Sequence, residues 1–453
     1  MFYKFFIQLL LTALCFFAFS NKASAQFSDG NGTENNPYII TTAQQLAQLA
    51  TYVNAGNTDY NDKCYKLGND ISLVAYQSGT GWTPIGRSAY EFCGNFDGNS
   101  KIISGLVINN DNLDYTGLFG CTWNATVKNL AVVNVNIRGD WFVGGVAGSF
   151  LGGNIENCYS TGNVNGSNRV GGVAGQMKDG STVSVLRNCY FSGKVNGNYA
   201  GGVVGYTEYG HISQSYSAGE VNGGDYVGGV VGYISYSSVF NCYSISEVSG
   251  NNRVGGIAST VYFHYTTKVQ SCVALNPNVK GTYLVGRVAG DHGFLYENVA
   301  WNGILNINGN STWNNKGEEE SDGADITLQS ILADGTLGGR FTAANGWTTQ
   351  NGKLPGLFGK PVDMPGHLGG TGIDELQVTS SELRVYPNPV TNELQVMSYE
   401  LQGNIEIFDI MGRALNNCQF SIVNPQLIIN VSSLPSGIYF LRVGERMAKF
   451  VKK

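Results

Sequence analysis

The sequence predicts an all-β protein: a right-handed parallel β-helix with a short N-terminal capping helix, followed by a C-terminal immunoglobulin-like β-sandwich. The first observation behind this prediction is a Val-Gly-Gly-Val phrase that returns every 27 to 31 residues. A fixed period of roughly 20 to 50 residues is the sequence signature of a stacked-repeat protein. The first glycines of the successive phrases are Gly117, Gly144, Gly171, Gly201, Gly228, Gly255 and Gly286.

A second phrase recurs with the same period and shows which residue types each repeat contains. It reads Asn157-Cys158-Tyr159, Asn188-Cys189-Tyr190, Gln214-Ser215-Tyr216, Asn241-Cys242-Tyr243 and Gln270-Ser271-Cys272. Short runs of Val, Tyr, Cys and Ile separated by Gly and Asn are typical of strands separated by turns. No run with helical spacing interrupts them, which argues against a helical solenoid. We therefore predict coils of three short strands over residues 115–300, stacked about 4.8 Å apart.

The ends of the β-helix need covers, because an open end presents unpaired strand edges. Thr42 and Gln45 have the spacing of a capping box, and apolar residues follow on one face of a predicted helix. That face consists of Leu46, Leu49, Ala50 and Val53. We expect this helix to cover the N-terminal end, and residues 301–370 to pack on the far end.

The first 25 residues have the three parts of a secretory signal peptide. Lys4 supplies the positive start, Phe5 to Phe19 the apolar core, and Ala23-Ser24-Ala25 the cleavage site before Gln26. The remainder has 25 basic against 33 acidic residues, which does not indicate nucleic acid or anionic membrane as a partner. No later stretch is long and apolar enough to predict a transmembrane span.

Eight cysteines follow the signal peptide, and export permits disulfides. Cys158, Cys189, Cys242 and Cys272 occupy one repeat position, so we expect them to be stacked interior thiols. Cys64, Cys93 and Cys121 could form a disulfide, but their pairing is not assigned by the sequence.

The Gly117-Leu118-Phe119-Gly120 copy of the repeat resembles the GLUG motif, named for its Gly-Leu-any-Gly core. This motif is found in bacterial surface proteins and near the start of some immunoglobulin A peptidases. The resemblance covers roughly residues 27–300. It implies the β-helix architecture of residues 26–370 but no particular activity.

The character of the sequence changes after Gly369-Gly370-Thr371-Gly372, where we place a linker over residues 371–381. Residues 382–453 contain short alternating strands at the spacing of a β-sandwich. Three motifs occur in order: Tyr386-Pro387-Asn388-Pro389, Asp409-Ile410-Met411-Gly412-Arg413 and Leu434-Pro435-Ser436-Gly437-Ile438-Tyr439. An ordinary immunoglobulin-like module is the alternative interpretation of this segment.

With the signal peptide, these three motifs resemble the C-terminal sorting domain of the type IX secretion system of Bacteroidetes. The resemblance implies that the type IX translocon and sorting machinery are partners of this domain. It also implies a secreted or outer-membrane surface location, reached through the periplasm. The residues that would serve recognition and folding of the sorting signal are Pro387, Asn388, Pro389, Asp409, Gly412, Gly437 and Tyr439.

Catalytic motifs are missing from the sequence. No His lies in an H-E-x-x-H motif, no G-x-S-x-G elbow has credible Asp and His partners, and no phosphate loop occurs. Acids recur before the Gly phrase as Asp114, Asp140 and Asp225, but Asn fills that place in other coils. This interchange favours a corner ladder over a catalytic cluster. We assign no catalytic residue, no metal ligand and no cofactor, although the corner leaves room for a weak structural calcium site.

Aromatic residues recur after the Gly phrase at positions that the repeat does not demand. We take Tyr206, Tyr209, Tyr233, Tyr236, Tyr262 and Tyr265 as candidate ligand-binding residues. They could bind a glycan or a cell-surface protein, or they could fasten loops to the β-helix wall.

The leading functional prediction is a non-enzymatic, adhesin-like binding protein that is secreted or held at the cell surface. A carbohydrate-active β-helix enzyme, either a polysaccharide lyase or a hydrolase, is the first alternative, and a purely structural surface protein is the second. The enzyme would need two acids close together in a groove. The fold does not decide among these functions.

Overall fold

A computed structural model describes residues 26–262, 264–291, 293–369, 384–386, 389–397, 405–409, 413–415, 419–423, 426–443 and 446–453. The predicted signal peptide and the predicted linker at 371–381 lie outside these residues. The chain divides into two compact units, Met1–Pro365 and Gly366–Lys453. Within the described chain, no helix is both long and apolar enough to span a bilayer.

The N-terminal end of the first unit is closed by helix α1 (Ala43–Asn54). Thr42 caps it by accepting a hydrogen bond from Gln45 N at 3.2 Å, and Gln45 Oε1 in return accepts from Thr41 N at 2.8 Å. Its buried residues are Leu46, Leu49, Ala50 and Val53, the face that the sequence predicted. The strands of the opening coils are β1 (Tyr38–Ile40), β2 (Cys64–Leu67), β3 (Ile71–Ser72), β4 (Asn95–Ser104) and β5 (Val107–Asn109).

The prediction of a parallel β-helix is confirmed: about ten turns stack through parallel pairing. The strands of the regular coils are β6 (Phe119–Arg138), β7 (Trp141–Gly144), β8 (Ala147–Glu156), β9 (Tyr159–Gly171), β10 (Ala174–Lys178), β11 (Ser184–Arg187), β12 (Tyr190–Gly201), β13 (Val204–Glu208), β14 (Gly210–Ser213), β15 (Tyr216–Asn222), β16 (Asp225–Gly228), β17 (Val231–Ser235), β18 (Ser238–Phe240), β19 (Tyr243–Ser244), β20 (Glu247–Ser249), β21 (Asn252–Gly255), β22 (Ala258–Val261), β23 (Lys268–Gln270), β24 (Val273–Ala274), β25 (Val279–Lys280), β26 (Tyr283–Gly286), β27 (Ala289–Asp291), β28 (Phe294–Tyr296) and β29 (Val299–Trp301). Strand β30 (Ala324–Ile326) pairs with β29 and closes the stack.

Equivalent residues of successive repeats lie directly above one another. Tyr190 pairs with Tyr216, and Val204 pairs with Val231. The inward positions therefore form columns of identical or similar side chains, such as the fully buried Val164, Val195, Val221 and Val248. The predicted interior thiols are confirmed, because Cys158, Cys189, Cys242 and Cys272 are free and buried. Cys64, Cys93 and Cys121 are also free.

An asparagine ladder lies at a corner where the backbone turns with positive φ. Asn129 Nδ2 donates to Asp97 Oδ1 at 3.0 Å, Asn157 to Asn129 at 3.0 Å, and Asn188 to Asn157 at 3.1 Å. Asparagine tolerates the left-handed region because its short polar side chain bonds locally. Each amide thus joins one coil to the next.

The far end of the β-helix is closed by Arg287, which occupies the place of the second glycine in the repeated phrase. Its side chain is fully buried. It donates to the carbonyls of Asp322 at 2.9 Å, Gly323 at 2.9 Å and Trp301 at 3.3 Å, and to Asp325 Oδ1 at 2.6 Å. A glycine is required there in the earlier coils, because a methyl group on Gly229 would overlap the carbonyl of Gly256.

Residues 301–326 take part in closing the far end, but the chain after Ile326 departs from the expected end cap. Helix α2 (Leu328–Asp334) and the pair β31 (Leu354–Leu357) and β32 (Lys360–Val362) lead the chain back along the flank of the β-helix. There the chain covers the outward tyrosines of the Asn-Cys-Tyr phrase, Tyr159, Tyr190, Tyr216 and Tyr243, which stack at 4.6 to 4.9 Å between ring centroids. Trp347 contacts Tyr216 and Tyr243, and the Tyr243 hydroxyl donates to Pro355 O at 2.6 Å. A column of stacked rings is a large apolar surface, and this segment removes it from water.

The buried tyrosine column leads to a pH prediction. Burial raises the pKa of Tyr190, Tyr216 and Tyr243 above the usual range, because the phenolate cannot be solvated. These tyrosines contribute their full stabilisation at pH values below about 10, which is the pKa of tyrosine in the unfolded chain. Their contribution to the free energy of unfolding is lost as the pH rises above that value. We expect the free energy of unfolding to begin to fall above about pH 8, because burial also raises the pKa of Cys121, Cys189 and Cys242 while thiols of the unfolded chain ionise at about pH 8.5, and to fall steeply above about pH 10. Urea unfolding followed against pH, with phenolate absorbance recorded in parallel, measures this; full titration near pH 10 of a still-folded protein would contradict it.

The second unit contains two four-stranded antiparallel sheets, in the orders β33-β34-β38-β37 and β36-β35-β39-β40. Their strands are β33 (Arg384–Tyr386), β34 (Glu393–Met397), β35 (Ile405–Asp409), β36 (Ala414–Leu415), β37 (Gln419–Val423), β38 (Gln426–Asn430), β39 (Gly437–Val443) and β40 (Arg446–Lys452). Residues of both sheets form one core, including Leu394, Ile429, Leu441 and Phe450. This arrangement agrees with the predicted β-sandwich.

Candidate functional site

The six candidate tyrosines lie on strands and corners that follow one another along the β-helix. Tyr206 and Tyr233, here called the strand row, occupy equivalent outward positions of β13 and β17. Their rings stack at 5.3 Å between centroids with an interplanar angle of 3°. The structure thus brings together two residues that are 27 positions apart, as the period predicted.

The other four tyrosines form a second group, here called the loop row. Tyr209 and Tyr236 stack at 4.7 Å between centroids, and Tyr262 lies 5.4 Å from Tyr236. Tyr265 is 80% exposed, and its ring lies 4.3 Å from that of His264. Tyr206 and Tyr209 are three residues apart on consecutive strand and corner positions, so both rows belong to one side of the β-helix.

A third row was missed by the sequence analysis and borders the strand row. It consists of the residues two positions before the first glycine of each phrase, and we call it the corner row: Tyr115, Phe142, Arg169, Tyr199, Tyr226, Arg253 and Leu284. All seven have positive φ, between 49° and 61°. The recurrence of a large side chain at one repeat position is the signal that could have revealed this row.

The corner row and the strand row contact each other, and together we call them the seam. Within the corner row, the rings of Tyr199 and Tyr226 stack at 4.4 Å between centroids. Tyr199 and Tyr226 lie 5.8 and 5.6 Å from Tyr233 in edge-on geometry. The Arg169 guanidinium lies 4.4 Å above the Tyr206 ring, and that of Arg253 lies 5.2 Å above Tyr226. The seam is therefore a continuous surface of rings and guanidinium groups.

The stacking decides what these rings offer to a ligand. In both rows of the seam, neighbouring rings cover each other's faces. Mainly ring edges and hydroxyl groups therefore face solvent. Burial raises the pKa of Tyr206 to about 12, and burial also raises the pKa of Tyr199 and Tyr233. In the loop row, the neighbouring phenol of Tyr262 raises the pKa of Tyr236. These phenols therefore stay protonated at neutral pH and act as hydrogen-bond donors.

The acids considered as catalytic candidates make hydrogen bonds that stabilise the coils. Asp114 Oδ1 accepts from Trp141 N at 3.1 Å, and Asn198 Oδ1 accepts in the same way from Asp225 N at 3.1 Å. Asp140 lies one position before the row of Asp114 and Asp225, and its carboxylate accepts from the Ser167 hydroxyl. The corner ladder that the interchange of Asp and Asn predicted is thus present, with Asp140 outside its register.

Across the described ranges, no group of three or more His, Cys, Asp and Glu side chains is placed to hold a metal ion. The weak calcium site remains a prediction that the structure does not test. A cavity of about 410 Å³ borders the seam and lies beside Trp82, Arg87 and Tyr115.

The residues of the C-terminal motifs hold the turns and the core of the sandwich. Asp409 accepts hydrogen bonds from Arg413 N at 3.0 Å and Arg413 Nε at 2.8 Å, which closes the turn after β35. Tyr439 is buried, and its hydroxyl donates to Pro435 O at 2.8 Å. Gly437 begins β39, and Pro389 is exposed. Pro387, Asn388 and Gly412 lie outside the described residues.

The β-solenoid and the C-terminal sandwich together define a class of protein: an exported β-solenoid with a C-terminal sorting signal. Residues 384–453 match the family model of the secretion system C-terminal sorting domain, and residues 142–165 and 196–222 match the GLUG motif. The chain thus combines a GLUG-motif β-solenoid with a sorting domain of the type IX secretion system. Proteins with this domain are secreted or surface-attached by that system, so the secretion machinery is a partner of this chain.

Two relatives resemble part of the β-solenoid. A protein of Evansella cellulosilytica, described as a candidate Gly-rich membrane protein, is 36% identical over 138 residues, which are 30% of this chain and 15% of that protein. Halomucin of Haloquadratum walsbyi is 34% identical over 126 residues, which are 26% of this chain and 1% of that protein. The chain therefore spans only a small part of these relatives.

One solved structure is also similar. It is that of a candidate immunoglobulin A1 protease from Bacteroides ovatus, with a TM-score of 0.48 and 20% sequence identity. The similarity covers 76% of this chain and 96% of that one.

Proposed function

We propose that this protein is a non-enzymatic, adhesin-like binding protein that takes a carbohydrate polymer along the seam and the loop row. The observation that carries this proposal is the alignment of tyrosines at one spacing on one side of consecutive coils. Stacked coils repeat about every 4.8 Å, so the phenol hydroxyls form a regular line of donors. Such a line fits a ligand that is itself a repeating chain of hydroxyl groups. The carboxylates of Asp114 and Asp140, by contrast, accept hydrogen bonds from Trp141 N and the Ser167 hydroxyl, which favours binding over hydrolysis.

A glycan array probed with the purified full chain, with calcium and with a chelator, tests the proposal. Glycan binding without release of product supports the proposal. Binding that persists in the presence of the chelator means that protein groups bind the glycan without calcium. Release of product from any glycan would overturn the non-enzymatic assignment. Absence of binding to every glycan would overturn the carbohydrate assignment and favour a structural role.

We expect the double substitution Tyr209→Ala and Tyr236→Ala to weaken glycan binding roughly tenfold or more, equivalent to about 1.4 kcal/mol. The two rings are stacked on each other and partly exposed, so their loss should cost the fold only about 0.5–1.5 kcal/mol. Titration calorimetry and thermal unfolding of the same preparations measure both quantities. The matched control is Tyr90→Ala, because Tyr90 is 42% exposed against 43% for Tyr209 but lies in an opening coil. A large fall in thermal midpoint with unchanged binding would instead show that these rings fasten the loops to the wall.

A further inference from the structure

We propose that the seam contains a carboxylate-binding subsite at Arg169, and that the carbohydrate taken by this protein is therefore acidic, with uronic-acid units. This inference rests on the proposed carbohydrate-binding function and names the class of its ligand. It follows from a difference between Arg169 and its neighbours. Arg253 and Lys178 form ion pairs with carboxylates, whereas Arg169 forms none with the residues that the structure describes.

Arg169 is held in place without an acidic partner. Its Nη1 donates to Gln176 Oε1 at 2.8 Å, and its guanidinium lies 4.4 Å from the Tyr206 ring centroid and 5.0 Å from that of Phe142. Its Nε is buried and makes no hydrogen bond. Among the residues that the structure describes, no carboxylate forms an ion pair with it. The side chain is thus oriented by rings and one amide, while most of its donors remain available.

The other cations of this side differ from Arg169. Arg253 occupies the same row, with the same left-handed backbone, and pairs with Asp291 Oδ2 at 3.1 Å. Lys178 pairs with Glu208 at 3.2 Å, and the Tyr206 hydroxyl also donates to that carboxylate at 3.4 Å. The acid nearest to the Tyr206 ring is therefore already bound by Lys178, and the positive charge of Arg169 remains uncompensated within the seam.

The chemistry of the site favours a carboxylate on a sugar. A guanidinium donates in a plane to the two oxygens of a carboxylate, and a charged hydrogen bond formed against aromatic walls is stronger than one in open water. The rings of Tyr199 and Tyr233 contact the Tyr206 ring over which the cation lies, and their hydroxyls can donate to the hydroxyl and ring oxygens of the same unit, whereas the Tyr206 hydroxyl already donates to Glu208. An acidic polysaccharide supplies both kinds of acceptor along one chain.

The test compares two probes of one backbone: oligogalacturonate and its fully methyl-esterified form, titrated calorimetrically into the purified full chain. We expect the acid to bind at least about tenfold more tightly than the ester. In Arg169→Gln this preference should fall to less than about twofold, while affinity for the ester is unchanged. The matched control, Arg253→Gln, removes a cation of the same row that already has a carboxylate and should retain the preference. Raising the salt from about 0.05 to 0.5 M should reduce the preference in the unmodified protein, since charges are screened.

Each outcome of these titrations supports or overturns one part of the proposal. Equal affinity of the unmodified protein for acid and ester would overturn the subsite while leaving the proposed function standing. Absence of binding to both probes would overturn the uronic-acid class of ligand, whereas the proposed function falls only if the glycan array also shows no binding. An equal loss of preference in Arg253→Gln would show a diffuse charge effect and overturn the assignment to Arg169. Binding of poly-glutamate as tight as that of oligogalacturonate would overturn the sugar component. If Arg169→Gln does not fold, Arg169→Lys, which keeps the charge but loses the planar fork, should lower the preference without abolishing it.

Discussion

Deletion of residues 384–453 is expected to leave the β-solenoid in the periplasm, with almost none delivered to the cell surface or the medium. The deleted segment is the part that matches the sorting-domain model. It has a hydrophobic core of its own, which includes Leu394, Ile429 and Phe450, so its removal does not open the core of the solenoid. Export should therefore fail while the solenoid remains folded. Fractionation of a type IX-competent bacterium, followed by immunoblotting, measures the distribution.

The control for this deletion is the reverse transfer. Residues 366–453, the whole second unit, joined to a periplasmic reporter should direct the reporter out of the cell. Substitution Asp409→Ala in the fusion should reduce delivery, because it removes the carboxylate that closes the turn to Arg413. Normal surface delivery of the truncated chain would contradict the role of this domain in export.

Substitution Arg287→Ala is expected to lower the free energy of unfolding of the solenoid by about 3–5 kcal/mol. The guanidinium is fully buried and binds three backbone carbonyls and the Asp325 carboxylate. Alanine would remove this donor from the carbonyls of Asp322, Gly323 and Trp301, whereas Asp325 is 40% exposed and keeps its ion pair with Lys316 at 3.0 Å. Since each coil is stabilised mainly by its neighbours, the damage should begin at the C-terminal end and spread inward.

Hydrogen exchange followed by mass spectrometry locates this effect. Protection should fall first in residues 299–326, while coils near Gly144 keep theirs. Arg187→Ala is the matched control, because Arg187 pairs with Glu156 at 3.2 Å on the surface, where an ion pair contributes about 0–1 kcal/mol. Equal effects of the two substitutions would show that the buried arginine is not the end closure described above.

The repeat period was enough to predict the coils and the interior thiols, because stacking places equal positions above one another. The same stacking brings Tyr206 to Tyr233 and Tyr209 to Tyr236. Side-chain periodicity also identified the buried face of the capping helix. These features depend on local chemistry repeated at a fixed spacing, which a sequence displays directly.

The features that the sequence did not reveal depend on contacts outside the period. The segment around Trp347 lies on Tyr216, 131 residues earlier in the chain, and no repeat links the two. The corner row was missed because its members, such as Arg169 and Tyr199, share no side-chain type, although they occupy one position of the repeat. Arg287 resembled a degenerate copy of the phrase, whereas its burial shows that it closes the stack.

The regular register of the coils also determines how this protein could change over generations. Because each 27-residue unit pairs with the next through the same positions, duplication of one unit would lengthen the column by about 4.8 Å without altering either end. Such a duplication would add one more set of donors to the line that meets the ligand. The number of contacts with the polymer would then increase with the number of coils. Recombination between repeats, rather than changes in a pocket, could therefore adjust the affinity for a long polymer.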